Sequence, residues 1–117
     1  ELQQGCVVTK GLDNCLQILT KKNWNQESEK MASLPSTDKT SRQLRRALFS
    51  GAVDSSLDSA GRIQIPENLR AYSAIKENDD VTVTGSGPVI EIWATKTWKK
   101  IQSDSDDAFA NINEVKG

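Results

Sequence analysis

Five residues recur along this chain at one fixed distance: Val7 and Val81, Gly11 and Gly85, Ile18 and Ile92, Lys22 and Lys96, Trp24 and Trp98. The partners stand 74 positions apart in every case, as 81 does from 7. Identities that include a tryptophan and a glycine at a single offset mark two copies of one supersecondary unit, and whatever element one copy forms is expected in the other. In the first copy, residues 6–10 read as a strand, 11–14 as a turn and 15–19 as the returning strand, with Leu16 and Ile18 on one face. Lys10 then faces Cys15 and Cys6 faces about Leu19. In the second, residues 81–84 and 89–93 are the strands and Gly85-Ser86-Gly87-Pro88 the turn between them. A helix follows each hairpin. Thr20 is placed to cap the first, with a stripe of Trp24, Met31 and Leu34 that Pro35 ends. Thr95 is placed to cap the second, whose stripe is Trp98, Ile101, Ala108, Phe109 and Ile112 and whose polar face carries Asp104, Asp106 and Asp107. Trp24 and Trp98 are expected to be packing anchors, and Trp93, at a strand end, to be half exposed at a subunit contact.

Between the units, Asp38 offers another cap, and Leu44, Ala47 and Leu48 give a helix that Gly51 is placed to terminate. Its opposite face carries Arg42, Arg45 and Arg46, the densest basic cluster in the chain. Such a face contacts phosphates, or is simply solvated or paired with carboxylates of a neighbouring subunit, and the lack of interleaved aromatic or small polar residues favours the solvated or paired reading.

Leu57-Asp58-Ser59-Ala60-Gly61-Arg62-Ile63-Gln64-Ile65-Pro66 reads as strand, tight turn, strand, then a helix whose first position is Pro66, ahead of Leu69 and Tyr72. Val53 and Ser55 alternate into it, Ile63 and Ile65 out of it. Gly61 supplies the positive backbone angle, and Asp58 bonds its own backbone two residues on. One carboxylate and one guanidinium are thereby presented together. The matching turn of the first unit would fall ahead of Glu1, so the chain opens part-way through that unit, and the intact protein is expected to carry two such turns. The expected division is a truncated first repeat over 1–35, a helical connector over 36–52, a complete second repeat over 53–113 and a tail over 114–117.

At 117 residues the chain suits one domain, and 36% apolar with 26% charged residues is a globular composition. No apolar run reaches the roughly 18 residues of a membrane span. A net charge of −1 gives no global attraction for nucleic acid, so DNA binding has to come from a local patch or from repetition in an oligomer. With no histidine and only Cys6 and Cys15, a metal or haem site is not expected, and the out-of-register cysteines argue against a disulfide and for a cytosolic setting.

The D-x-x-x-R turn of Asp58 and Arg62, the I-x-I-P of residues 63–66, Glu91-Ile92-Trp93 and Trp98 together resemble the MraZ family, bacterial transcriptional regulators on the swapped-hairpin scaffold shared with AbrB- and SpoVT-type DNA-binding proteins. The resemblance covers most of the chain. It implies an α+β fold, mainly β at the core, in which two repeats form a double-psi β-barrel with peripheral helices. It also implies rings of identical subunits that line up their turns, and a cytoplasmic, nucleoid-associated regulator. Its double-stranded DNA targets would be G-rich direct repeats upstream of the cell-division and cell-wall gene cluster. No cofactor, membrane or small-molecule substrate is expected.

On the residues alone, Asp58 and Arg62 are an ordinary surface salt bridge or a reader in which Arg62 meets guanine O6 and N7 or a phosphate. Resemblance selects the reader, with Asp58 orienting Arg62, Gly61 allowing close approach and Ser59 donating to a phosphate. Arg42, Arg45 and Arg46 are further candidate phosphate contacts. An acid-protease reading of Asp58-Ser59-Ala60 fits poorly, because Gly61 comes one place late and Arg62 would hold Asp58 charged where that chemistry needs a shared proton. The alternative from another class is an antitoxin-like or structural interaction module in which the turn is idle. Gly85-Ser86-Gly87 lacks the rest of a phosphate-loop pattern.

Overall fold

A computed structural model describes residues 5–56, 58–60, 62–87 and 89–112. The fold is α+β. Strands β1 (Cys6–Lys10), β2 (Leu16–Thr20), β3 (Val53–Ser55), β4 (Val81–Ser86) and β5 (Val89–Ala94) form one antiparallel sheet in the order β3-β1-β2-β5-β4. Helices α1 (Lys21–Ala32), α2 (Lys39–Gly51), α3 (Glu67–Ser73) and α4 (Thr95–Ala110) lie against it.

The duplication appears as symmetry. At the centre of the sheet Leu16 pairs with Ile92, Gln17 with Glu91 and Ile18 with Ile90. Under the 74-residue spacing, 16, 17 and 18 become 90, 91 and 92, so exchanging the two copies maps this pairing onto itself. A local two-fold axis therefore passes between Gln17 and Glu91. Each hairpin is followed at once by its helix, α1 after β2 and α4 after β5.

The outer strands depart from that spacing by one residue. Lys10 pairs with Leu16 and Cys6 with Thr20, one place beyond the expected register, because the first hairpin closes over residues 11–15. Asp13 and Asn14 turn the chain there with φ of 61° and 66°, and the Gly11 amide donates to the Cys15 carbonyl at 2.8 Å. A Cβ at Gly11 would stand 2.5 Å from Cys15 Sγ, so the close approach requires glycine. The second hairpin is tighter: Ser86 pairs with Val89, and Gly87 takes φ of 63°. Gly85 consequently faces Ile90 as Lys10 faces Leu16, and the structural counterparts of Cys6 and Val8 are Val81 and Val83.

One sheet face carries Cys6, Val8, Leu16, Ile18 and Ile92, packed under Leu69 of α3. Ile63, Ile65 and Ile75 complete the cover. Cys6 and Val8 are wholly buried, whereas Val81 and Val83 are 45% and 61% exposed. The sheet is thus covered over the first hairpin and open over the second. On the other face, Thr9 Oγ1 donates to the Leu48 carbonyl at 2.9 Å and ties α2 to β1, while Trp24 of α1 meets Phe49 of α2 edge to face at 5.7 Å. Trp98 packs on Trp93 at the same centroid distance. Both anchors pack as expected, but Trp93 is buried and donates through its indole N–H to Glu91. Its register opposite Thr82 turns it under α4, away from solvent.

Of the other local expectations, the first two caps hold and the rest are corrected. Thr20 caps α1 through its hydroxyl, which accepts from the Asn23 amide, and Asp38 caps α2 by accepting from the Ser41 amide. Thr95 does not cap α4. Its hydroxyl is engaged with Thr82 Oγ1 at 2.9 Å, and Ala94 takes the cap position. Pro66 is itself the cap residue of α3, its carbonyl accepting from the Leu69 and Arg70 amides. Gly51 is the last residue of α2, which ends on an extended Ala52 with no left-handed terminator. Residues 63–65 alternate toward the core but join no strand among the described residues. In α4, Trp98 and Ile101 pack and Ala108 and Phe109 do not, since the helix outruns the sheet beneath it, and Ile112 lies exposed beyond its end.

Cys6 and Cys15 are buried at opposite ends of the first hairpin as free thiols. Burial, reinforced by the nearby Glu91 and Asp13 carboxylates, pushes the Cys15 thiol up to about 12. Native protein at pH 8 should therefore leave Cys15 unmodified by a thiolate-selective reagent, with stoichiometric labelling on unfolding. Rapid labelling of native Cys15, mapped by peptide mass, would show that the loop over residues 11–15 is open.

Candidate nucleic-acid interface

The turn that begins at Asp58 is built by its own side chain. β3 delivers the chain along the edge of β1, with Ser55 opposite Cys6 and Val53 opposite Val8. Beyond the turn, Ile63 and Ile65 return to the core and Leu69 anchors α3. The turn is therefore held at both ends while its middle faces solvent. Asp58 Oδ1 accepts from the Ala60 amide at 2.9 Å and from the Arg62 amide at 2.8 Å, and the Asp58 amide donates to the Arg62 carbonyl at 2.9 Å. The remaining oxygen, Oδ2, accepts from Arg62 Nε at 2.9 Å.

One carboxylate thus folds the loop and fixes the guanidinium. Arg62 is held through Nε, and its Nη groups make no hydrogen bond or ion pair among the described residues. Its side chain is 80% exposed. That leaves a planar pair of donors, with the geometry that suits a carboxylate, a phosphate or the O6/N7 edge of guanine. Asp58 is pulled below its ordinary value chiefly by the Arg62 amide, with the Arg62 side chain and Ala60 amide adding to this against a partial desolvation.

Because folding favours the ionised carboxyl, its contribution is complete above the unfolded pKa and is lost as pH falls through the lower folded one. The turn should therefore hold throughout the neutral range and loosen only in acid. A carbon-13 titration of the Asp58 carboxyl should show a midpoint below that of free aspartate. Arg62→Ala, which keeps the backbone amide, should raise that midpoint only part of the way. An ordinary midpoint in the unsubstituted protein would mean that the turn is not formed in solution.

Ser59 is exposed at the tip, with no hydrogen bond to its hydroxyl among the described residues. Gly61 and Leu57 lie outside the described residues. Arg42, Arg45 and Arg46 sit on α2, and no bond or ion pair among the described residues connects them with the Asp58–Arg62 turn. Arg42 Nη1 instead donates to the Ser36 carbonyl at 2.9 Å, bracing the start of its own helix. The structure therefore brings together Asp58, Ser59 and Arg62 and leaves the arginine helix as a separate basic surface.

Tyr72, to which the sequence assigned no role, locks this arm in place. Its hydroxyl donates to the Gly11 carbonyl, its carbonyl accepts from Asn14 Nδ2 at 3.1 Å, and Lys10 Nζ lies 5.5 Å from its ring centre. Partners 58 and 61 positions away leave no local pattern, so nothing in the sequence could have signalled them. No group of three or more His, Cys, Asp or Glu among the described residues is placed to hold a metal, and no described helix is long and apolar enough to cross a membrane.

A duplicated hairpin sheet that carries an acid-oriented arginine on an edge turn defines a two-unit repeat protein. In comparison with protein families, the chain matches the family described as "MraZ protein, putative antitoxin-like" twice, over residues 1–47 and 48–115. The chain belongs to the MraZ family. That family is regulator-like or antitoxin-like and is not a family of enzymes.

Proposed function

We propose that this protein is a sequence-specific DNA-binding transcriptional regulator that reads G-rich direct repeats upstream of the cell-division and cell-wall gene cluster. The observation that carries the reading is the guanidinium of Arg62, oriented by Asp58 through Nε and open to solvent at its other two nitrogens. Arg62 reads guanine, Asp58 sets its angle, Ser59 and Gly61 bring the backbone to a phosphate, and Arg42, Arg45 and Arg46 add distal phosphate contacts.

One such turn binds weakly, and a net charge of −1 adds nothing. A homo-oligomeric ring arrays several turns against repeated boxes, so that each contact raises the effective concentration of the next. Such a protein works in the cytoplasm on the nucleoid. The division into repeats over 1–35 and 53–113, joined by 36–52, belongs to this reading, as does the closed double-psi barrel. The exposed Val81 and Val83 favour closure, since a second arm like residues 53–75 would cover them as the first covers Cys6 and Val8.

Anisotropy of the full-length protein on labelled DNA tests the function. Direct G-rich repeats should bind tightly with a steep loss in salt, and a scrambled duplex of equal length should bind far more weakly. Equal binding of both duplexes would remove sequence reading. Binding of neither would favour the antitoxin-like alternative, for which the family's description is the supporting observation.

A further inference from the structure

The last turn of α3 leaves a backbone carbonyl for another element to satisfy. The Ala74 amide donates to the Ala71 carbonyl and the Ile75 amide to that of Arg70, while the Tyr72 carbonyl accepts from Asn14 Nδ2 at 3.1 Å. Asn14 belongs to the loop of the first hairpin, where it holds φ at 66°, a left-handed angle that asparagine adopts more readily than most residues. The Tyr72 hydroxyl returns to the same loop and donates to the Gly11 carbonyl, and Lys10 Nζ stands 5.5 Å from the ring centre. One residue of α3 is thus fastened at its backbone, its hydroxyl and its ring. The rest of the arm is held with less direction. β3 meets β1 over three residue pairs, Cys6 with Ser55, Val7 with Asp54 and Val8 with Val53, and residues 63–65 join no strand among the described residues. Ile63, Leu69 and Ile75 pack the arm onto the sheet, but apolar contact fixes its depth and not its angle, whereas hydrogen bonds are directional. The second hairpin carries no equivalent latch: its turn is tighter, and Pro88, which has no side-chain donor, stands 74 places beyond Asn14.

We propose that Tyr72 and Asn14 are positioning residues for the Asp58–Arg62 turn: through them the hairpin loop of the first unit sets the direction in which the second unit presents its arginine. This rests on the DNA-reading function above and adds the element that aims the reader. Both residues act through Arg62, and neither contacts DNA. Asp58 fixes the guanidinium within the turn, and the latch fixes the turn on the sheet. A reader held at its angle in the free protein has already lost the freedom that binding would otherwise take from it.

Binding and orientation are both measured on the full-length protein. In anisotropy, Tyr72→Phe, which keeps the ring and loses the hydroxyl, should weaken binding to the G-rich duplex about threefold to tenfold. Asn14→Gly, which keeps the left-handed angle and loses the side-chain amide, should do the same. Neither should change the salt slope or the binding of a scrambled duplex, because no phosphate contact is removed. In an Arg62→Ala background both changes should have little further effect, since a positioning residue then has nothing left to position. Residual dipolar couplings of the Ala60 and Arg62 amides, recorded without DNA, should fit the alignment of the sheet in the wild type and be scaled down in either variant. Given a wild type that prefers the G-rich duplex, unchanged affinity in both variants, or equal losses with and without Arg62, overturns the proposal. Couplings that match wild type in both variants overturn it whatever the DNA result. Couplings that fall in the variants of a wild type with no preference for the G-rich duplex sink the regulator reading alone, and leave Tyr72 and Asn14 as the residues that aim the turn.

Discussion

Replacing Arg62 by alanine is expected to remove most of the affinity for G-rich repeats while leaving the fold intact. A bidentate arginine–guanine contact is worth about 1–3 kcal/mol, between roughly fivefold and more than a hundredfold at one turn. An oligomer engaging several boxes loses that factor at each one, so the whole assembly should fall to nonspecific binding. The fold should survive because Arg62 is a surface side chain, and the loop is kept by Asp58 accepting from the Ala60 and Arg62 amides. Arg62→Lys should rescue little, since a point charge supplies attraction without a planar fork. Asp58→Ala should be worse for the loop than Arg62→Ala, because Asp58 organises the backbone as well as the guanidinium. Isothermal titration with the same duplex, beside thermal melts of each variant, separates lost contact from lost turn.

The second large effect is on stability. Leu69→Ala should cost about 2–5 kcal/mol, the range for a wholly buried leucine whose cavity cannot fully collapse. Leu69 is 0% exposed and sits on α3 over the covered half of the sheet, in one cluster with Val8, Ile18, Ile75 and Ile92. A domain of this size loses several degrees of melting temperature per kcal/mol, so a drop of about 10 °C or more is expected by calorimetry. The same change should weaken DNA binding indirectly, since α3 and Ile63 hold the far side of the turn. In the 117-residue chain Val83→Ala, at a 61% exposed position that is the structural counterpart of Val8, should be nearly neutral. Equal penalties at Leu69 and Val83 would contradict the asymmetric core.

The sequence made legible what is local or periodic. The Thr20 and Asp38 caps and the Asp58 loop rest on interactions spanning two to four residues, and each formed as read. The repeat spacing located the second hairpin and its helix. It misplaced the outer strands by one residue, because hairpin register depends on how many residues the loop consumes, and the two loops differ. Thr95 satisfied the pattern for a cap yet found Thr82 across the sheet as its partner. Phe109 and Ile112 continued a helical stripe past the last strand that could receive it, since periodicity reports which face is apolar and not what lies under it. At the turn the sequence identified both charged partners. The choice of Nε as the bonded atom, which decides what the guanidinium has left to offer, is a geometric fact with no counterpart in the residue pattern.

The most direct measurement is a double-mutant cycle between protein and DNA, pairing Arg62→Ala with 7-deazaguanine in the repeats, which removes the N7 acceptor and leaves the phosphates in place. If Arg62 reads guanine, the deaza substitution weakens the unsubstituted protein about tenfold or more and has little further effect on Arg62→Ala. If the two losses simply add, Arg62 does not contact the guanine edge, and the turn is a phosphate clasp or a structural ion pair.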